Sequence, residues 1–269
     1  MKPLSAIGDQ DYDRDGCLGP LRVLSTGEAA GVLARLDAVR DEDVAGVRHP
    51  WYYKSYLLFT WMDALVRTKA ILDAVETIVG SDILVMSADI WRKKAGETRH
   101  ISVHQDAGYW SLEPLDITTA WVALTPASEE NGCMAFALGT HKLRLVEHDN
   151  TYAPDNMLSH GQTAKIDLAS FDQVASVLQP GEMSLHHALL AHGSGPNTTG
   201  EPRVGICVRY LPGRIRYTVG PPISAMVVRG RHEGNLILEE PPTGDLTDAA
   251  IAQHTRLLEP HAATRYVNF

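Results

Sequence analysis

The chain has 269 residues, 44% of them hydrophobic and 21% charged, with a formal net charge of −9. That length supports a well-buried core, and the acidic balance argues against a general nucleic-acid binder, which needs clustered Lys and Arg to meet phosphates. Three widely spaced cysteines (Cys17, Cys133, Cys207), none in CxxC spacing, argue against a disulfide framework or a thiolate zinc site and suit a reducing compartment.

The opening stretch, MKPLSAIGDQDYDRDG, is acid-rich and lacks the apolar run of a secretory signal. No apolar stretch reaches membrane-spanning length, so a cytoplasmic protein with no membrane partner is expected. The first third reads as helical. In STGEAAGVLARLDAVRDED, Ser25 or Thr26 is placed to cap a helix in which Leu33, Leu36 and Val39 recur at helical spacing. In FTWMDALVRTKAILDAVETIVG, Leu65, Ile71, Leu72, Val75 and Ile78 recur similarly, and Gly80 supplies a stop.

From residue 83 the texture changes. Short runs rich in β-branched, aromatic and aliphatic residues (DILVMSADIW, HISVHQD, ITTAWVALTPA, CMAFAL, VASVLQ, EMSLHHAL, RVGICVRYLP) are separated by turn formers such as Asn131-Gly132 and Pro180-Gly181. This pattern predicts a β-sandwich or barrel, not alternating βα units. No repeat or Pro/Gly linker divides the chain, so a single domain over 1–269 is expected. Within it, 1–82 is mainly helical, 83–212 is the β core, and 213–269 is a C-terminal extension with a modest helix, TDAAIAQHTRLL. The polar insertion at about 143–170 reads as a lid or long surface loop.

Chemistry enters at SVHQDAGYW. Residues i and i+2 of a strand share a face, so a strand over 101–106 projects His104 and Asp106 together, placed to hold one metal ion from adjacent vertices. Twelve histidines hint weakly at metal chemistry. Of the adjacent pair His186 and His187 only one faces inward, and both read as wall or packing residues. His192 falls in a small-residue turn, AHGSGPN, and Arg203 opens the next strand eleven residues on. Two His and one carboxylate with three positions open is the arrangement of non-haem Fe(II) oxygenases. A cosubstrate acid fills two of those positions through its keto and carboxylate oxygens. Its far carboxylate then calls for a fixed, always-charged fork such as Arg203.

Seven stretches taken in order, DYDRDGCLGP, KSYLLF, HQDAGYW, TAWVALTPASEENGCMAFALGTHK, NMLSHGQ, GEMSLHHALLAHGSGPN and RVGICVRYLP, resemble the phytanoyl-CoA dioxygenase (PhyH) family of Fe(II)/2-oxoglutarate oxygenases. The nearest likeness is to the branch holding aliphatic halogenases and their hydroxylase relatives. The resemblance implies a mainly β, double-stranded β-helix (jelly-roll, cupin-like) fold with N-terminal helices against one sheet. It implies iron ligands at His104, Asp106 and His192. It also implies a 2-oxoglutarate carboxylate held by Arg203 with Ser194 assisting, Trp121 lining that pocket, and O2 as oxidant. In the halogenases Ala or Gly replaces the aspartate and chloride takes its place; Asp106 is present here, so oxygen transfer is expected.

The implied reaction is hydroxylation of an unactivated C–H bond, with 2-oxoglutarate and O2 converted to succinate and CO2. Desaturation, epoxidation and oxidative cyclisation stay open beside it, as does a non-oxidative cupin-type ligand-binding protein or isomerase. Tyr109 and Trp110 lie close enough to Asp106 to wall a substrate pocket or to pack in the core. Arg209 shares the parity of Arg203 and is placed to meet an anionic substrate group or a buried acid. Lys54, in WYYKSYLLF, is a candidate contact to substrate or cosubstrate. The expected partner is a small natural-product or amino-acid-like molecule. A carrier protein or other highly anionic partner is less favoured, since like charges repel at long range. The oligomeric state is open.

Overall fold

The run ILVMSADIWRK forms the strand Ile83–Lys93, and RVGICVRYLP forms Arg203–Pro212 antiparallel to it along its whole length. Both are buried almost throughout, as near-continuous apolar runs demand when both faces of a sheet are covered. The computed structural model describes residues 1–6, 11–47, 50–220 and 223–259. These two strands lie at the middle of a seven-stranded sheet. Its spatial order is Ile237–Leu238, Ser224–Arg229, Ile83–Lys93, Arg203–Pro212, Thr118–Ala123, Glu182–His187 and Cys17–Arg22. A five-stranded sheet runs Lys2–Pro3, Gln173–Ala175, Met134–Ala137, His192–Ser194 and Ile101–His104. The architecture is the expected two-sheet jelly roll.

Helices cover one face of the larger sheet. The helix Lys69–Val79 buries Ile71, Leu72, Val75 and Val79 in the same apolar cluster as Val85, Ile90, Val122 and Val208. Each such side chain contributes about 1.5–3 kcal/mol when fully buried. The helix Thr26–Ala38 starts at Ser25, whose hydroxyl accepts from the Glu28 backbone N–H while the Glu28 carboxylate reaches back to the Ser25 backbone. Such a cap is worth about 1 kcal/mol.

Several boundaries differ from the sequence reading. The helical spacing over 59–80 is divided between Thr60–Val66 and Lys69–Val79, with Thr68 at non-helical dihedrals (φ −53°, ψ 125°) between them. Arg67, at the break, donates through Nε to Asp63 at 2.9 Å and leans toward the Val227 carbonyl. Gly80 ends the second helix with φ +90°, a region few other residues adopt. The N-terminal part is not only helical: Cys17–Arg22 pairs with Glu182–His187 and forms one edge of the larger sheet. Its Gly19-Pro20 reads against a strand, yet an edge tolerates a residue with no N–H to give.

The C-terminal extension also joins the sheet, through Ser224–Arg229 beside Ile83–Lys93. Its helix, Asp248–Leu258, is capped by Thr247. The segment 143–170, expected as a lid or long surface loop, contains a short hairpin, His148–Asn150 with Gln162–Ala164. The three cysteines are free and buried. Among the described residues no helix is long and apolar enough to cross a membrane.

Candidate active site

His104 and His192 are direct partners on adjacent antiparallel strands, their ring centroids 4.2 Å apart. The Nδ1 of each ring lies 2.9 Å from a backbone carbonyl two residues earlier, Ser102 for His104 and Leu190 for His192. A carbonyl only accepts, so Nδ1 carries the proton and the Nε2 lone pair is left for a metal. Burial pushes both imidazoles down, His104 to about 3 and His192 to about 4. Both are therefore neutral, ligand-competent bases near pH 7.

Two local expectations are corrected here. His192 does not sit in a turn; it opens the short strand His192–Ser194, slotted between Ile101–His104 and Met134–Ala137. Gly193 permits the fit, since a Cβ there would stand 2.8 Å from the Ile101 carbonyl oxygen. Asp106 does not continue the strand of His104, which ends at that histidine; a 3-10 turn, Asp106–Tyr109, follows. The turn still returns the carboxylate to the same point, with Oδ1 3.8 Å from His104 Nε2. One ligand atom from each of His104, Asp106 and His192 lies within 4.8 Å of the others, all three residues being buried. Two neutral nitrogens and one carboxylate oxygen suit a divalent iron with coordination positions left open.

The Asp106 carboxylate is held from several sides. Thr119 Oγ1 donates to Oδ2 at 2.8 Å, Arg209 Nη2 donates to Oδ1 at 3.3 Å, and His186 Nε2 stands 3.7 Å from Oδ2. Burial would raise this carboxyl, but Arg209, followed by His186, holds it well below the usual carboxylate range. Arg209 also pairs with the buried Asp89 and donates to Ser87 Oγ at 3.1 Å. Asp89, Arg209 and Asp106 thus form one buried chain of alternating charge. Sequence reading missed Asp89 and Thr119. Only the register brings them together: it sets Arg209 opposite Thr119 on one side and Ser87 on the other, with Asp89 opposite Cys207 two residues along. His186 and His187 take opposite faces as expected. The His186 ring packs 4.5 Å from that of His192, whereas His187 turns to His141 at 5.3 Å.

Across the cavity lies a cationic end. The Arg203 guanidinium stacks over Trp121 at 5.1 Å and donates through Nη1 to the Gly132 carbonyl; its buried Nε has no hydrogen-bond partner among the described residues. Trp121 lies flat against Gly205 on the neighbouring strand, where any Cβ would stand 2.1 Å from the indole. Ser194 faces this end and accepts a hydrogen bond from the Lys93 ammonium at 2.7 Å. Lys93, fully buried, was not legible as a site residue. An orphaned guanidinium N–H beside a hydroxyl fits the far carboxylate of a 2-oxo diacid.

His104, Asp106, His192, Trp121, Ser194 and Arg203 all line one cavity of about 110 Å³. Tyr52, Tyr53, Trp91 and Trp110 add aromatic walls, and Met157 and Leu158 reach in from the 143–170 segment. Of the expected substrate contacts, Trp110 and Arg209 are in the cavity, the guanidinium 5.6 Å from the indole. The Tyr109 side chain lies outside the described residues. Lys54 does not reach the cavity. It is buried elsewhere, ion-paired with Glu239 at 2.5 Å and donating to the Met86 carbonyl at 2.7 Å. Its partner lies in the C-terminal extension, so nothing near Lys54 in sequence announced the pairing.

The family model for phytanoyl-CoA dioxygenase (PhyH) matches residues 12–205. Human peroxisomal phytanoyl-CoA dioxygenase is 35% identical over 136 residues, covering 48% of this chain and 39% of that protein. The chain therefore spans about two-fifths of the length of that curated relative. Among solved structures, the non-haem monooxygenase ThoJ superposes with a TM-score of 0.81 at 29% identity, over 94% of this chain and 98% of that one. The epimerase SnoN, solved with Fe3+, alpha-ketoglutarate and nogalamycin RO, superposes with a TM-score of 0.63 at 25% identity, over 77% of this chain and 83% of that one.

Proposed function

This chain belongs to the phytanoyl-CoA dioxygenase (PhyH) family of iron- and 2-oxoglutarate-dependent dioxygenases, and from that premise we propose that it hydroxylates an unactivated C–H bond of a small natural-product or amino-acid-like molecule, converting 2-oxoglutarate and O2 to succinate and CO2. The observation that carries this reading is a convergence. His104, Asp106 and His192 offer ligand atoms within 4.8 Å of one another, in the cavity that Arg203 and Ser194 also line.

His104, Asp106 and His192 would hold the iron. When bound, the iron supplies a site for activating O2 together with the oxidative decarboxylation of 2-oxoglutarate. The chain does the rest. The Ser102 and Leu190 carbonyls keep both Nε2 atoms aimed at the metal position. Thr119 and Arg209 keep Asp106 anionic and oriented, so the place a halide would need is filled. Arg203 and Ser194 would take the far carboxylate of the cosubstrate, with Trp121 as the floor beneath the guanidinium.

The substrate walls are aromatic, and the other cation lining the cavity, Arg209, already neutralises Asp89 and Asp106. That supports a neutral or weakly charged substrate over a coenzyme A ester or a carrier-tethered one. The test is a screen of such molecules with the iron-loaded protein, reading succinate release and product mass. A substrate that stimulates succinate release and gains one oxygen atom is expected. A product lighter by two hydrogens replaces hydroxylation with desaturation. Absence of any 2-oxoglutarate turnover across a broad screen, with iron bound, counts against the assignment.

A further inference from the structure

Lys93 and Arg203 are direct cross-strand partners in the larger sheet. Like charges set opposite one another destabilise a sheet, and both side chains are fully buried, Lys93 at 0% and Arg203 at 1% exposure. Among the described residues neither has an acid within ion-pairing distance. Glu97, the acid with most influence on Lys93, is committed to Arg99, which donates to it at 2.8 and 3.0 Å. Burial, then the charge of Arg203, lowers the Lys93 ammonium to about 7. Two adjacent buried cations without an anion are unfavourable unless something negative completes the group.

Donor logic says where that anion belongs. An ammonium donates and cannot accept. Lys93 Nζ donates to Ser194 Oγ at 2.7 Å, to the Ser194 carbonyl at 3.4 Å and to the Gly195 carbonyl. The Ser194 oxygen is thus engaged as an acceptor, and its own O–H is left to donate. Ser194 and Arg203 both line the cavity, where Arg203 Nε lacks a hydrogen-bond partner among the described residues.

We propose that Lys93 is a positioning residue for the far carboxylate of the cosubstrate: it adds a second positive charge behind Arg203 and holds Ser194 as a donor toward that carboxylate. The proposal rests on the 2-oxoglutarate reading above. A merely structural lysine would tether Ser194 and Gly195 at the end of the strand His192–Ser194 and nothing more. The two roles separate on a pair of ligands, 2-oxoglutarate and 2-oxovalerate, which share the 2-oxo acid end but differ in the far carboxylate.

Binding of each acid to the nickel-loaded protein is measured by tryptophan fluorescence and by ligand-induced thermal shift. Wild type is expected to prefer 2-oxoglutarate by at least about tenfold, the scale of a charge-assisted contact. Lys93→Met is expected to lose about tenfold or more in 2-oxoglutarate affinity while holding 2-oxovalerate within about twofold. Lys93→Arg should restore most of the loss. Lys93→Gln, which keeps a hydrogen-bonding tether without the charge, decides the matter if the methionine variant fails to fold, and it should behave as expected for Met. A folded, nickel-binding Met or Gln variant that keeps wild-type 2-oxoglutarate affinity overturns the proposal, as does an equal loss for both acids. A nickel-loaded wild type that shows no preference between the acids rejects the 2-oxoglutarate reading itself, and the proposal with it.

Discussion

Replacing Arg209 by leucine removes the one cation shared by two buried carboxylates, Asp89 at 1% and Asp106 at 4% exposure. Deleting one partner of a buried ion pair costs about 3–5 kcal/mol. A chain of this size loses roughly 2–4 °C in Tm per kcal/mol, so the metal-free variant is expected to melt about 6–20 °C below wild type at pH 8. The deficit must also depend on pH, with a defined sign. In wild type the Asp106 carboxyl is held well below its usual value because Arg209 outweighs burial. A group depressed in this way adds stability that is fully present above the unfolded value of about 3.9 and is lost only as pH falls through the folded value.

Without Arg209 burial dominates: the Asp106 carboxyl rises above its unfolded value, and that of Asp89, which burial already raises in wild type, rises further. Such groups penalise the fold increasingly as pH climbs from the unfolded value through the raised folded one. The Arg209→Leu deficit is therefore largest at pH 8 and shrinks toward pH 5, where Asp89 and Asp106 take up protons. Adding Asp89→Asn should recover part of the loss at pH 8. Thermal melts followed by circular dichroism in chelator, across pH 5 to 8, provide the assay. A deficit below about 2 °C at pH 8, smaller than a single kcal/mol would give, or one that widens on acidification, refutes the reasoning.

Asp106→Ala removes the proposed anionic ligand and is expected to lower substrate-stimulated succinate formation at least about 100-fold; full retained activity contradicts the ligand assignment. In Gly205→Ala the new Cβ meets the Trp121 ring at 2.1 Å. The strand is hydrogen-bonded on both sides, so the indole must move. Overpacking of this kind costs about 1–3 kcal/mol, and titration with 2-oxoglutarate should show weaker binding as the Arg203 stack is lost. Lys54→Met leaves the buried Glu239 with the Tyr56 hydroxyl but without its cation, so a Tm loss worth about 3–5 kcal/mol is expected with cosubstrate affinity unchanged. A drop in 2-oxoglutarate affinity at unchanged Tm would return Lys54 to the pocket.

The legible part of this molecule is the part written in long, regular patterns. The strands Ile83–Lys93 and Arg203–Pro212 were readable because their apolar runs are long and bounded by turn formers. Parity along Arg203–Pro212 then placed Arg203 and Arg209 on one face. His104, Asp106 and His192 were found from residue type and order, although two of the three backbones were misjudged. Three residues of His-Gly-Ser carry too little pattern to announce a strand, and a 3-10 turn at Asp106 mimics strand parity by returning the carboxylate to the same point. What stayed hidden depends on register between distant strands. Lys93 opposite Arg203 and Thr119 beside Arg209 are neighbours only once the ladder is known. Lys54 misled because its partner, Glu239, is 185 residues away in sequence.

In the proposed site, His104, Asp106 and His192 hold iron and Arg203 holds 2-oxoglutarate. Anaerobic titration of the Fe(II)-loaded protein with 2-oxoglutarate, followed by visible absorption, tests it most directly. A weak charge-transfer band that requires both components, saturates at one 2-oxoglutarate per iron, and needs much more 2-oxoglutarate in Arg203→Met is the predicted result. No band from a fully iron-loaded protein, or a band indifferent to Arg203, would contradict it.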